Sequence, residues 1–141
     1  PYTELPPICL SDAVSGSLDY SDASEKTKNI VESLKKSADV VSFGMGKLFD
    51  EHFFQEYWNV GLDVSYITDN KIQTEKKYRG INVIPVASLG EIHNAAVIIF
   101  LKRNIDEIKK QLTGLGVKTI FTIDEIVTVC NELYRCKKKG K

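Results

Sequence analysis

Residues 95–101 read Ala-Ala-Val-Ile-Ile-Phe-Leu, an apolar run with no polar interruption. A membrane-spanning helix needs roughly 18 such residues, so this run predicts a strand buried on both of its faces. Strands of that kind belong to parallel sheets, whose crossovers cover both sides. The sequence around it supplies partners. Asp39–Phe43 is a short buried-strand run stopped by Gly44. Leu62–Thr68 reads as a second strand closed by Asp69-Asn70, Gly80–Val86 as a third, and Lys118–Phe121 as a fifth after the apolar run. Pro85 lacks a backbone donor, so the third strand belongs at a sheet edge or ends there.

Segments of helical period separate these strands, at about 47–59 (ended by Gly61), 88–93, 105–115 and 123–136. The alternation predicts an α/β fold of three layers, Rossmann-like, with a mostly parallel five-stranded sheet and helices on both faces. The polar link from Lys71 to Arg79 is too short for a helical crossover, which leaves the direction of the third strand open. Ahead of the sheet, Ala23, Thr27, Ile30, Val31 and Leu34 share one face of a helix over about 22–37. Residues 1–21, with Pro1, Pro6, Pro7 and Ser15-Gly16-Ser17, read as an extended lead-in. Four helix starts pair a capping residue with a glutamate three positions on: Asp22 with Glu25, Ser88 with Glu91, Asn104 with Glu107, and Thr122 with Glu125. The expected division is 1–37 as an N-terminal extension and helix, 38–136 as the Rossmann-like domain, and 137–141 as a basic tail.

Nineteen Lys+Arg balance nineteen Asp+Glu, an equality that argues against nucleic-acid binding, which leaves a basic excess. The dense basic run of Arg135, Lys137, Lys138, Lys139 and Lys141 reads as a solvated tail. Cys9, Cys130 and Cys136 lack Cys-x-x-Cys spacing, and only His52 and His93 accompany them, so no metal site is expected. Reduced thiols, with neither a secretory leader nor a spanning segment in this sequence, fit a cytoplasmic protein. The opening Pro1 suggests an excised piece of a longer chain.

The chemistry-bearing feature is Gly44-Met45-Gly46-Lys47, which follows the first strand and opens a helix. Such a turn offers backbone amides and the positive helix end to a phosphate. Gly44 permits the tight turn, and Gly46 lets a ligand approach the backbone. The third position of a G-x-G-x-x-G pattern is Phe49, which implies a displaced helix or a re-shaped pocket. Asp69, at the carboxyl end of the second strand, stands where a ribose hydroxyl is commonly recognised, although Asp-Asn pairs also form turns. Asn70 beside it, Lys47 in the phosphate helix, and Lys102 and Arg103 after the apolar strand complete the candidate site.

The succession VVSFGMGKLF, LDVSYITDNK, YRGINVIPVASLGEI and AAVIIFLKRNIDEIKKQLTGLGVKTIF resembles the small Rossmann-like domains of bacterial surface-polysaccharide proteins. Similar domains form the N-terminal parts of sugar acyltransferases, or are appended to glycosyltransferases and sugar-modifying methyltransferases. The resemblance covers about residues 38–123. It is carried by Gly44, Gly46 and Lys47, by Asp69 and Asn70, by Gly80, Ile81 and Val83, and by Glu107, Ile108, Gln111, Leu112, Leu115 and Gly116. It implies NAD(P) or a nucleotide sugar as ligand and a covalently linked transferase domain as partner.

Residues for catalysis are scarce. Tyr134 and Lys138 have the Tyr-x-x-x-Lys spacing of short-chain dehydrogenases but fall at the end of the last helix, where chance explains them better. His52 and His93 read as surface histidines, and no catalytic residue is assigned. Phe49, Phe53, Phe54, Tyr57 and Trp58 span more than half of one helix circumference, a width that points to a homo-oligomer interface or to cover by the helix at 22–37. The leading expectation is a nucleotide-binding domain that is non-catalytic alone. Its alternatives are a small NAD(P)-dependent oxidoreductase or epimerase remnant, and a ligand-free structural or oligomerisation module.

Overall fold

The computed structural model describes residues 9–53 and 62–139. The later part of the aromatic helix, with Phe54, Tyr57, Trp58 and the cap at Gly61, lies outside the described residues, as do the side chains of Cys9, His52 and Phe53. The chain divides into two compact units. One is Ser37–Phe49 with Asp63–Ile123; the other is Pro1–Lys36, Asp50–Leu62 and Asp124–Lys141.

The first unit is built on a six-stranded sheet. Its strands are β1 (Asp39–Phe43), β2 (Tyr66–Thr68), β3 (Lys76–Tyr78), β4 (Ile81–Ile84), β5 (Ala95–Ile99) and β6 (Thr119–Thr122), in the spatial order β3-β4-β2-β1-β5-β6. All neighbours are parallel except β3 and β4. With β3 set aside, the parallel strands taken in chain order run third-second-first-fourth-fifth, the order of a doubly wound sheet.

The expected five strands thus become six. The polar link after Asn70 contains β3, which forms a hairpin with β4 through a two-residue turn, Arg79 (φ 51°) and Gly80 (φ 84°). Two consecutive positive φ angles define the turn whose twist suits a tight hairpin, so Gly80 belongs to the turn and not to the strand. Lys76-Lys77-Tyr78 carries no apolar alternation, which is why its strand character was not legible. The third expected strand, β4, runs parallel to β2 and lies between β2 and β3. It is not an edge. Pro85 instead ends it and precedes a 3-10 helix, Val86–Glu91, whose Ser88 N–H donates to the Pro85 carbonyl at 3.0 Å.

Alternation along β1 and β5 sorts the core. Val41, Phe43, Val97 and Ile99 share one face and cluster with Leu89 of the 3-10 helix and with Ile108 and Leu112 of helix α4 (Ile105–Gly114). On the opposite face Ser42, Ile67, Ala96 and Ile98 are fully buried. Both faces of the central strands are therefore out of water, as the apolar run required. Asn104, expected to cap α4 with its side chain, is left-handed (φ 58°) and makes no such bond.

In the second unit, Cys9–Ser15 forms helix α1, not an extended lead-in. Leu10 and Ala13, one turn apart and fully buried, give it an apolar edge too short to read from sequence. Helix α2 (Glu25–Lys36) buries Thr27, Ile30, Val31 and Leu34, the expected face. Its cap is Ser24 instead of Asp22: the Ser24 hydroxyl accepts from the Thr27 N–H at 3.3 Å. The carboxylate that completes the cap comes from helix α5 (Ile123–Lys139). Glu132 accepts from the Ser24 N–H, from the Ser24 hydroxyl at 3.2 Å and from the buried Thr27 hydroxyl at 3.1 Å. A separation of 108 residues hides this arrangement from any local motif. Helix α5 also continues through most of the expected tail. Lys137 pairs with Asp12 at 3.8 Å, and Lys138 lies 5.4 Å from the Tyr134 ring centre. The Tyr-x-x-x-Lys spacing is thus a one-turn cation–π pair.

The hydrogen bonds from Ser24, backbone first, hold the Glu132 carboxyl below its ordinary range. A carboxylate lowered in the folded state stabilises fully above the ordinary glutamate range, and that contribution is lost as pH falls through the folded value. Glu132→Gln is therefore expected to cost about 1 kcal/mol near neutrality, the size of one cap, and less in acid. Urea unfolding of both proteins at neutral and acidic pH checks this, and a penalty that does not shrink in acid contradicts it.

Candidate functional site

The carboxyl ends of β2, β1 and β5 emerge side by side, and three turns leave from them. The middle one is Gly44–Lys47, which leads into helix α3 (Lys47–Phe53). Its start is fixed from both sides. The Gly44 N–H donates to the Thr68 carbonyl at 2.8 Å, and the Phe100 N–H donates to the Phe43 carbonyl at 2.9 Å. From below, the buried Ser42 hydroxyl donates to the Gly44 carbonyl at 2.8 Å. The turn therefore begins from a backbone whose hydrogen bonds are satisfied.

The two glycines differ in what the fold asks of them. Gly44 is buried with φ 124°, and a Cβ there would lie 3.2 Å from the Phe100 carbonyl oxygen and 3.4 Å from the Leu101 side chain. A side chain there would be strained by the backbone and crowded by the Phe100 carbonyl. Gly46 is exposed, its φ is outside the left-handed range, and a Cβ would meet nothing within 4 Å. Packing gives no reason for glycine at that position. Met45 is half-buried and Lys47 exposed, so the outer half of the turn faces solvent.

Phe49, in the place of a third glycine, is fully buried. Its ring meets Phe100 edge-on at 5.5 Å and Tyr78 at 6.3 Å. Phe49 thus meets the sheet through an aromatic contact where a glycine would allow close backbone approach. Phe100 continues the alternation of Ala96 and Ile98, so Phe49 packs on the face opposite the cluster of α4.

Asp69 follows β2 next to Gly44, but its carboxylate is turned to its own chain. Its Oδ1 accepts from the Lys71 N–H at 3.1 Å, and its carbonyl accepts from the Ile72 N–H at 3.0 Å. This is the turn that Asp-Asn pairs favour. The Asn70 Oδ1 accepts from the Gln111 amide of α4 at 2.7 Å, which ties the β2 turn to that helix. The Asn70–Gln111 bond and the contact of Leu101 with Gly44 were not anticipated from sequence, because both depend on which strands lie side by side. Lys102 and Arg103 are exposed in the turn between β5 and α4. Since β5 neighbours β1, this turn lies beside Gly44–Lys47 at the point where the strand order reverses.

His93 is exposed at the other end of the strands, just before β5. Among the described residues no group of three or more His, Cys, Asp or Glu side chains could hold a metal ion. Among them, too, no helix is long and apolar enough to cross a membrane. No family model, curated protein or solved structure matches this chain.

The glycine contrast is measurable. Gly44→Ala is expected to destabilise the protein by about 2 kcal/mol or more, from backbone strain and the clash with the Phe100 carbonyl. Gly46→Ala should fall within about 0.5 kcal/mol of the parent. Equal losses in chemical denaturation would contradict the distinction.

Proposed function

We propose that this chain is a Rossmann-like nucleotide-binding domain that holds NAD(P) or a nucleotide sugar and is non-catalytic alone. The observation that carries the reading is the position of Gly44–Lys47. The turn leaves the first parallel strand, opens a helix, and stands where the strand order reverses, the crevice in which open α/β sheets take their ligands. Gly46 supports it further, since a ligand backbone contact supplies a reason for glycine that packing does not. Lys47, Lys102 and Arg103 would supply cationic groups to the phosphates. The resemblance to surface-polysaccharide domains makes a covalently linked transferase the partner, with the chemistry residing there.

Specific bonds favour a second reading, a structural module that has kept the fold without the ligand. Asp69 and Asn70 use side-chain acceptors within the protein, and the Leu101 side chain lies 3.4 Å from where a Cβ at Gly44 would stand. Under this reading ribose recognition by Asp69 is absent.

Calorimetric titration with UDP-glucose, NAD+ and NADP+ separates the two. The nucleotide-binding reading expects saturable binding of one of them, abolished by Gly46→Val in a protein of unchanged stability and weakened roughly fivefold by Lys47→Ala, the size of one exposed ion pair. Absence of binding by all three, or binding indifferent to Gly46→Val, rejects it.

A further inference from the structure

A groove of about 480 Å³ opens at the amino-terminal ends of β5 and β6, the end of the sheet away from Gly44–Lys47. That volume is in the range of small-molecule sites, roughly 300–1,000 Å³. Its apolar wall is Ile92, Leu115 and Val117, and its cationic and imidazole groups are Lys118 and His93. None of its lining residues is acidic, in a chain whose acidic and basic residues are equal in number. Gly90 lines it as well. Its φ is not left-handed, and a Cβ there would meet only the Leu115 carbonyl oxygen at 3.7 Å, an ordinary contact. The fold would therefore accept a side chain at Gly90, and its absence keeps the groove open.

We propose that this groove is a second binding site, for a small amphiphilic organic anion. The apolar body lies against Ile92, Leu115 and Val117, and the acid group meets Lys118 and His93. An apolar wall with a few polar groups is the usual composition of such sites, and Lys118, in a lining without an acidic residue, favours a negatively charged ligand.

Phenyl phosphate is the probe, followed by amide NMR shifts, with inorganic phosphate and phenol as its two halves. The expected result is saturable binding in the millimolar range with shifts centred on residues 90–95 and 115–119, and weaker binding of either half. Lys118→Ala should weaken it about fivefold, the worth of one exposed ion pair, and Gly90→Leu should abolish it. Urea unfolding establishes that Gly90→Leu is folded; should it not fold, Lys118→Glu replaces it, with loss of binding expected. Phenol binding as tightly as phenyl phosphate overturns the proposal. So do shifts centred elsewhere, no saturation, or affinity unchanged by the substitutions. Gly46→Val should leave the response intact. Its loss there would place the anion in the phosphate turn and likewise overturn the second site, whereas failure of nucleotide binding leaves this site untouched.

Discussion

The pairing of β1 with β5 is the constraint on which the sheet unit depends. Five residues of each strand are in register, from Asp39 opposite Ala95 to Phe43 opposite Ile99. This ladder joins two strands that are far apart in the chain, and it buries both faces of each. Burial makes every backbone group in it obligatory, because an unpaired N–H or carbonyl there would cost about 1–3 kcal/mol. The ladder also sets the geometry at its end. One further step along it, the Phe100 N–H meets the Phe43 carbonyl, which brings the Leu101 side chain onto Gly44 and lays two solvent-facing turns side by side.

Much of this architecture was legible, for reasons that trace to particular residues. The uninterrupted run Ala95–Leu101 demanded a strand buried on both faces, Asp39–Phe43 read as another buried strand, and the stripe Ile30, Val31 and Leu34 demanded a packed helix. Each signal is local and repeats within a few residues. What escaped was non-local or too short. Strand β3 has two exposed lysines in three residues, α1 has two buried apolar side chains, and the cap of α2 is completed by Glu132 from the far end of the chain. Capping boxes misled for a related reason. At Asn104 a left-handed backbone replaces the side-chain cap, and around Ser88 the helix starts earlier, at Val86.

The candidate site divides along the same line. Sequence located Gly44–Lys47 between a strand and a helix, and it located the second basic turn after the apolar strand. It could not assign the two glycines to different causes, because the reason for Gly44 is the carbonyl of a residue from another strand. Nor could it tell whether the Asp69 carboxylate reaches outward or folds back, since both outcomes use the same Asp-Asn pair. Hydrogen-bond geometry separates them, and it turns Asp69 toward the Lys71 amide.

The β3–β4 hairpin has a consequence for how the molecule lives among copies of itself. An exposed sheet edge is a template for further strands, and proteins blunt it with charge. Without β3 that edge would be β4, whose Val83 and Ile84 are buried. The chain instead overshoots, places Lys76 and Lys77 outermost with both side chains in solvent, and returns to lay the apolar strand inside. The three residues of β3, tied to the core through Tyr78 on Phe49, thus form a charged outer strip. They pair with β4 on one side and present two positive charges on the other, so that Val83 and Ile84 do not lie on the open edge.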